Sequence, residues 1–260
     1  MAKYLSLLTS VFALLFVAAP LALADPVLTF SEHKSEFRDE KRKAVYFKTS
    51  YETAALKNAQ AYPALDAALK RNFNEVRKKQ ITSTAAGAAY NCKEFLREVS
   101  KYYKNMVCFI EEKASVCRAD DSVVSLSCSV TEYYGGPHHN TTVLGYSFDT
   151  LSGKALRLSD VVTDREALKE LAAAQLKTEM AARDLEYLPE TDKTLRDLLD
   201  GVASDRKPQP WTLDKEGLTL YFDPYIFAPY VYGRFDITID YAGHKEIFAE
   251  KYLPAVKSEK

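Results

Sequence analysis

Hydrophobic positions change their period several times along this chain, and each change marks an element. Between Val27 and Lys48 two stretches, Leu28–Glu36 and Lys43–Thr49, read as strands; the charged run Arg38-Asp39-Glu40-Lys41-Arg42 between them reads as a solvated turn. Tyr62-Pro63 opens a helix, since proline is tolerated in a first turn. Leu65, Leu69, Phe73 and Val76 then recur at three- and four-residue steps, giving one apolar stripe to about Lys79. A second helix is predicted from about Thr84 to Lys104, with Phe95, Leu96, Val99, Tyr102 and Tyr103 on its buried side.

From Met106 the period becomes two. Met106–Arg118 and Ser122–Tyr134 read as a hairpin turning at Ala119-Asp120-Asp121. Val124, Leu126, Cys128 and Val130 alternate with Ser125, Ser127, Ser129 and Thr131, the signature of a strand with one polar face. Gly135-Gly136-Pro137 ends that strand, His138-His139-Asn140 forms the loop, and Thr142–Asp149 resumes as a strand. Asp149 to Gly153 reads as a tight turn into a short strand, Lys154–Leu158. Ser159-Asp160 or Asp164 caps a helix that runs to about Asp184. A shorter helix spans Thr191 to about Leu199 and stops at Gly201. Trp211–Leu213, Gly217–Phe222 and Gly233–Tyr241 close the chain as strands. Asp223 to Tyr230 holds two prolines, which lack the amide donor a central strand needs. This order predicts an α+β fold: an antiparallel or mixed sheet with segregated helices, in one compact unit with subregions 25–150 and 151–260.

The first 24 residues carry a different pattern. Lys3 precedes a mostly apolar run from Leu5 to Ala19, Pro20 breaks it, and Ala22-Leu23-Ala24 is a small-x-small cleavage site. This reads as a secretory signal peptide, shorter than the roughly 20 apolar residues of a membrane span. The expectation is a mature chain from Asp25, periplasmic or secreted, with no membrane span after cleavage. A formal net charge of −1 offers no electrostatic reason for a nucleic-acid partner.

Export changes the meaning of Cys92, Cys108, Cys117 and Cys128. An even count outside the cytosol predicts disulfides. Zinc ligands pair about two to four residues apart, and no two of these cysteines are that close. Cys108 and Cys117, if both lie on one extended strand, stand about 30 Å apart and cannot bridge each other. Two connectivities stay open.

Several segments carry a family resemblance. Tyr133-Tyr134-Gly135-Gly136-Pro137-His138-His139-Asn140 looks like a Gly-Gly-Ala-His-Pro-Asn signature. Asp149 to Lys154 and Leu158 to Val161 look like the turn and helix start that follow it. Gly217 to Tyr225, with Ala228-Pro229-Tyr230 and Gly233, looks like the C-terminal signature. Together they resemble the extracytoplasmic domain of unknown function shared by RsiV-type anti-sigma factors and the non-catalytic region of PdaC-type peptidoglycan deacetylases. By that resemblance 25–150 is the PdaC-like subregion and 151–260 the RsiV-like one. It implies a binding module of the bacterial envelope, with lysozyme-type protein or peptidoglycan as ligand. Pro137 stands where the family commonly has Ala, and His139 where it commonly has Pro. Nothing in the chain resembles the family's separate deacetylase domain.

The candidate chemistry follows from composition. The chain has 17 Tyr and one Trp. Tyr221, Tyr225, Tyr230, Tyr232 and Tyr241 fall in one segment, and Tyr133, Tyr134 and Tyr146 surround the Gly-Gly loop. Tyrosine combines contact area with a polar tip and suits both protein interfaces and sugar stacking. The candidate binding residues are therefore Tyr134, Gly135, Gly136, His138, His139, Asn140, Tyr225 and Tyr230. No cofactor and no metal is expected: neighbouring histidines on an extended loop point apart. A G-x-S-x-G elbow is absent, so the chain leans away from catalysis. An envelope hydrolase centred on His138 and a structural accessory protein are the alternatives.

Overall fold

In the computed structural model, residues 24–39, 44–99, 106–202 and 210–255 are described. The signal-like segment to Leu23 lies outside them, as do residues 40–42 of the charged turn, Lys43 of the second predicted strand, and Tyr102 and Tyr103 of the second helix.

Strands β1 (Leu28–Arg38) and β2 (Val45–Leu56) form an antiparallel hairpin, with β2 running past its predicted end at Thr49. The two predicted helices are one continuous helix. It starts as α1 (Pro63–Ala68), passes through a π-helical segment (Leu69–Glu75), and continues as α2 (Val76–Val99). The polar stretch between the expected helices does not break it. Thr82 and Ser83 turn their hydroxyls back onto the carbonyls of Lys78 and Gln80 (2.8 and 3.0 Å). Ile81, Ala85, Ala89 and Cys92 carry the buried stripe onward at helical steps.

This long crossover lets β3 (Cys108–Ala119) pair parallel to β2, Phe47–Ser50 against Cys108–Glu111. Beyond that short pairing the strands part. Asn74, from the π-helical segment, takes over at the opened edge and bonds both the amide and the carbonyl of Ala54 (2.8 and 2.9 Å). Antiparallel β4 (Val123–Tyr133) and β5 (Asn140–Asp149) complete a five-stranded mixed sheet in the order β1-β2-β3-β4-β5. Gly153 takes the left-handed conformation (φ 66°) expected of its turn. A Cβ there would lie 2.3 Å from the Ala64 carbonyl, so α1 sits directly on this turn.

The expected strand Lys154–Leu158 shrinks to one bridge between Phe148 and Ala155. Leu158 instead starts the short α3 (Leu158–Val161), whose Asp160 accepts from the Arg157 amide at 2.9 Å. Asp164 caps α4 (Arg165–Ala181) through the Ala167 amide (2.9 Å). Next come α5 (Pro189–Val202), β6 (Trp211–Leu213), β7 (Gly217–Phe222) and β8 (Phe235–Asp240), the strands forming an antiparallel sheet in the order β6-β7-β8. The last strand stops one residue short of Tyr241, because Asp240 turns to accept from the Gly243 amide and caps α6 (Tyr241–His244). The fold is thus α+β, with eight strands in two sheets and segregated helices among the described residues.

The two sheets meet directly. Ser125 on β4 accepts from the Leu213 amide of β6 at 3.0 Å. The buried Arg118 reaches from β3 to the Tyr252 carbonyl at 2.6 Å. Lys251 pairs with Asp149 at the end of β5.

The disulfide expectation needs correction: Cys92, Cys108, Cys117 and Cys128 are all free thiols. Cys117 sits half-exposed at a bulge in β3, about 10 Å along the strands from the position opposite Cys128 at the usual strand rise, too far to bridge. Cys128 instead donates to the buried Glu112 carboxylate at 2.8 Å. Glu112 also pairs with the fully buried Arg77, whose guanidinium lies 4.2 Å from the Phe73 ring centroid.

Candidate binding surface

Two irregular segments, each placed by the end of a strand, come together. The first leaves β4 at Tyr133. Gly135 and Gly136 both take positive φ (95° and 116°), as expected of a turn that L side chains disfavour. Pro137 then leads through His138 and His139 into β5. The second segment leaves β7 at Phe222 and arches over Asp223 to Gly233 before β8 begins.

That arch is held from below. Phe227 packs on Phe222 and Phe235, with ring centroids 5.0 and 6.1 Å away. Arg183, just beyond α4, lies 4.0 Å over the Phe235 ring and donates to the carbonyls of Tyr232 and Arg234, both at 3.0 Å. Within the arch, the amide of Tyr225 donates to Ala228 and that of Gly233 to Tyr230 (3.0 and 2.9 Å). Burial pushes the Asp223 carboxyl up, against opposing hydrogen bonds from the Thr142 hydroxyl and the Val143 amide. Its Oδ1 is buried without a hydrogen-bond partner among the described residues.

Four predicted residues meet where the loop and arch touch. The His138 ring stacks on Tyr230, centroids 3.7 Å apart and planes 14° from parallel. The Tyr230 hydroxyl donates to the His139 carbonyl at 2.8 Å. His138 Nδ1 lies 3.1 Å from that same carbonyl, and Nε2 lies 3.2 Å from the Tyr225 hydroxyl. A carbonyl can only accept, so Nδ1 carries the proton; in the neutral ring Nε2 then accepts from Tyr225. Among the described residues, neither ring nitrogen meets a carboxylate.

The outer side of this cluster is open. Tyr225 is 62% exposed and holds a positive φ of 72°, unusual for a residue with a side chain. Val231 is 84% exposed and Tyr232 38%. Sequence reasoning did not single out Val231; an aliphatic residue between two tyrosines has no period to mark it as outward. Arg183, which positions the arch, looked like an ordinary basic residue in the last turn of the predicted helix.

The other predicted residues part from this cluster. Tyr134 points to the α2 side, where its hydroxyl donates to Glu132 at 3.0 Å. With Thr84, Ala88, Asn91, Cys92 and Phe95 it lines a groove of about 480 Å³. Burial pushes the Tyr134 phenol up, helped by the Glu132 charge. A Cβ on Gly135 would strike the Phe95 ring at 2.3 Å, so this glycine also serves the α2 side. Gly136 is exposed and lends its carbonyl to the Tyr133 hydroxyl (3.1 Å). Asn140, exposed, begins β5 opposite Glu132. Other tyrosines turn inward: Tyr146 and Tyr241 are buried, and Tyr221 bonds Thr212 at 2.7 Å.

No group of three or more His, Cys, Asp or Glu residues suited to a metal ion occurs among the described residues. Asp149, at the far end of β5 from His138, is engaged by Lys251, Ser152 and Tyr252.

Residues 159–242 match the sequence family described as Protein of unknown function (DUF3298). The matched stretch carries the arch and its supporting helices but not the His138 loop. Two crystal structures share the fold. One is a DUF3298 family member from Bacteroides fragilis, 18% identical, with a TM-score of 0.55 over 87% of this chain and 95% of that one. The other is a DUF3298 family protein from Pseudomonas aeruginosa, 22% identical, with a TM-score of 0.55 over 88% and 96%. No curated protein matches the chain.

Proposed function

We propose that this chain is an exported, non-catalytic binding module of the bacterial envelope, and that the arch recognises a protein of the lysozyme type. The observation that carries this reading is the exposed Tyr225–Val231–Tyr232 surface beside the stacked His138–Tyr230 pair. Aromatic residues with a polar tip dominate the energetics of protein interfaces. An arch already pinned by Arg183 and Phe227 loses little further freedom on binding, which favours affinity. An aliphatic side chain as open as Val231 suits a protein surface better than a sugar, which stacks on ring faces. Export rests on the signal-like first 24 residues, and the envelope setting on the resemblance to the RsiV- and PdaC-type domains. Both ring nitrogens of His138 are occupied by a phenol and a carbonyl, which speaks against a general base there.

The test is binding of the chain from Asp25 onward to immobilised lysozyme and, separately, to peptidoglycan fragments. The expected result is lysozyme binding that Tyr225→Ala weakens by at least about tenfold, roughly 1.4 kcal/mol. His138→Ala, which removes the support for Tyr230, weakens it less. Binding to peptidoglycan alone replaces the protein ligand with a glycan, and binding to neither overturns the proposal.

A further inference from the structure

We propose that Cys92 and Cys108 are an oxidisable pair that forms a single disulfide between α2 and the start of β3, while Cys117 and Cys128 remain thiols. Cys92 and Cys108 are both buried, 2% and 0% exposed, in one small core cluster with Phe47, Ile81, Ala85, Ala89 and Ile110. Cys108 is the first residue of β3 and stands in register with Phe47 of β2, which faces the same cluster. Each thiol acts on the other electrostatically, the pair lowering the Cys108 thiol and raising the Cys92 one. Neither of the other two cysteines belongs to this cluster. Cys128 belongs to a different cluster and donates a hydrogen bond to Glu112, and burial pushes its thiol up to about 12. Cys117 lies at the β3 bulge, about 30 Å along the strand from Cys108.

Access comes from the α2 side, where Cys92 lines the groove with Phe95 and Tyr134. Exchange with a small-molecule disulfide, R–S–S–R, oxidises the pair in two steps. One thiolate of the pair attacks a sulfur of R–S–S–R, forming a mixed disulfide and releasing R–S⁻. The second thiol passes its proton to that R–S⁻ and attacks the mixed disulfide at the protein sulfur. The Cys92–Cys108 bond forms and a second R–S⁻ leaves, which takes up the other proton. Two electrons pass from the protein to the oxidant. The bond fastens to the sheet the part of α2 that carries Phe95, the ring beneath Gly135 at the base of the Gly-Gly loop.

The experiment incubates the chain from Asp25 onward with oxidised glutathione, then alkylates it under denaturing conditions and maps the peptides. Two of the four thiols are expected to stay alkylatable, with an intact mass lower by about 2 Da before alkylation. One linked peptide pair joins Cys92 to Cys108. Cys92→Ser abolishes that link and Cys117→Ser leaves it in place, with folding checked by circular dichroism. If a variant fails to fold, peptide mapping of the unsubstituted chain decides alone. Four alkylatable thiols after oxidation, a lasting glutathione adduct instead of the link, or a bond that includes Cys117 or Cys128 overturns the proposal.

Discussion

The interior behind the five-stranded sheet and the interior behind the three-stranded sheet are filled by different chemistry. Under β6, β7 and β8 lies an apolar cluster in which Leu168, Ala172, Leu176, Leu195 and Leu199 from the helices meet Trp211, Leu218, Leu220, Ile237 and Ile239. Behind the larger sheet, Leu65, Phe73 and Leu126 share their space with the Arg77–Glu112 ion pair, the Cys128 thiol and the Tyr146 ring. Both terminal nitrogens of Arg77 and the Tyr146 hydroxyl are buried without a hydrogen-bond partner among the described residues. A second buried arginine shows the alternative. At the seam between the sheets, Arg118 spends its guanidinium on Asp120, Ser122 and the Tyr252 carbonyl (2.6, 2.8 and 2.6 Å). The lesson is that burial of charge is tolerated where every donor is used and costs stability where it is not.

Glu112→Ala carries the largest expected effect. It strands the Arg77 charge in the interior and is expected to lower unfolding stability by about 3–5 kcal/mol, measured by urea denaturation. The double change Arg77→Met with Glu112→Leu is expected to recover most of that loss, since apolar groups of similar volume need no partners. If Glu112→Ala costs no more than a surface substitution, the ion pair is not what holds this interior. In the apolar cluster, Leu220→Ala is expected to cost about 3 kcal/mol through lost burial and the cavity it leaves. No second substitution should rescue it in the same way, because no charge is stranded.

The smallest expected effect lies at the seam and depends on pH. Burial pushes the Asp149 carboxyl up, but hydrogen bonds from Lys251 and from Ser152 outweigh it and hold the group at about 2, below its ordinary 3.8. A depressed carboxylate stabilises the fold above its unfolded value and loses that contribution as pH falls through the folded one. Urea midpoints should therefore drop between pH 4 and pH 2. Asp149→Asn should flatten that drop by on the order of 1 kcal/mol, the exposed Lys251 partner being screened by solvent. An unchanged acid slope would remove Asp149 from the seam.

Much of the fold was legible residue by residue. The period-two stretch from Met106 to Asp149 became β3, β4 and β5, turning at Ala119-Asp120-Asp121, where the Asp120 side chain accepts from the Ser122 and Val123 amides. The prolines at 224 and 229 kept the Asp223–Tyr230 segment out of the sheet. Harder to see was the continuity of the helix through Thr82 and Ser83, since their polarity masks the buried stripe on the opposite side. Glu112 hid for a similar reason. Its position between Ile110 and Ala114 placed it on the inward face, but only its partner on the helix explains a carboxylate there. The candidate site was half visible: both segments stood out by glycine, proline and tyrosine, but nothing local indicated that Tyr134 and His138 part to opposite sides.

Local chemistry, then, settled by itself what depends on neighbours in the chain: periods, turns at positive φ, helix caps such as Asp164, and the irregular arch. Tertiary structure alone settled what depends on residues far apart. It chose the parallel pairing of β2 with β3, brought the 138–139 loop under Tyr225 and Tyr230, and set Cys92 beside Cys108 while leaving Cys117 and Cys128 apart. The physical reason is the same in each case. Backbone propensity acts over a few residues, whereas ring stacking, ion pairing and thiol contact need only proximity in space, which packing of the two sheets and their helices provides.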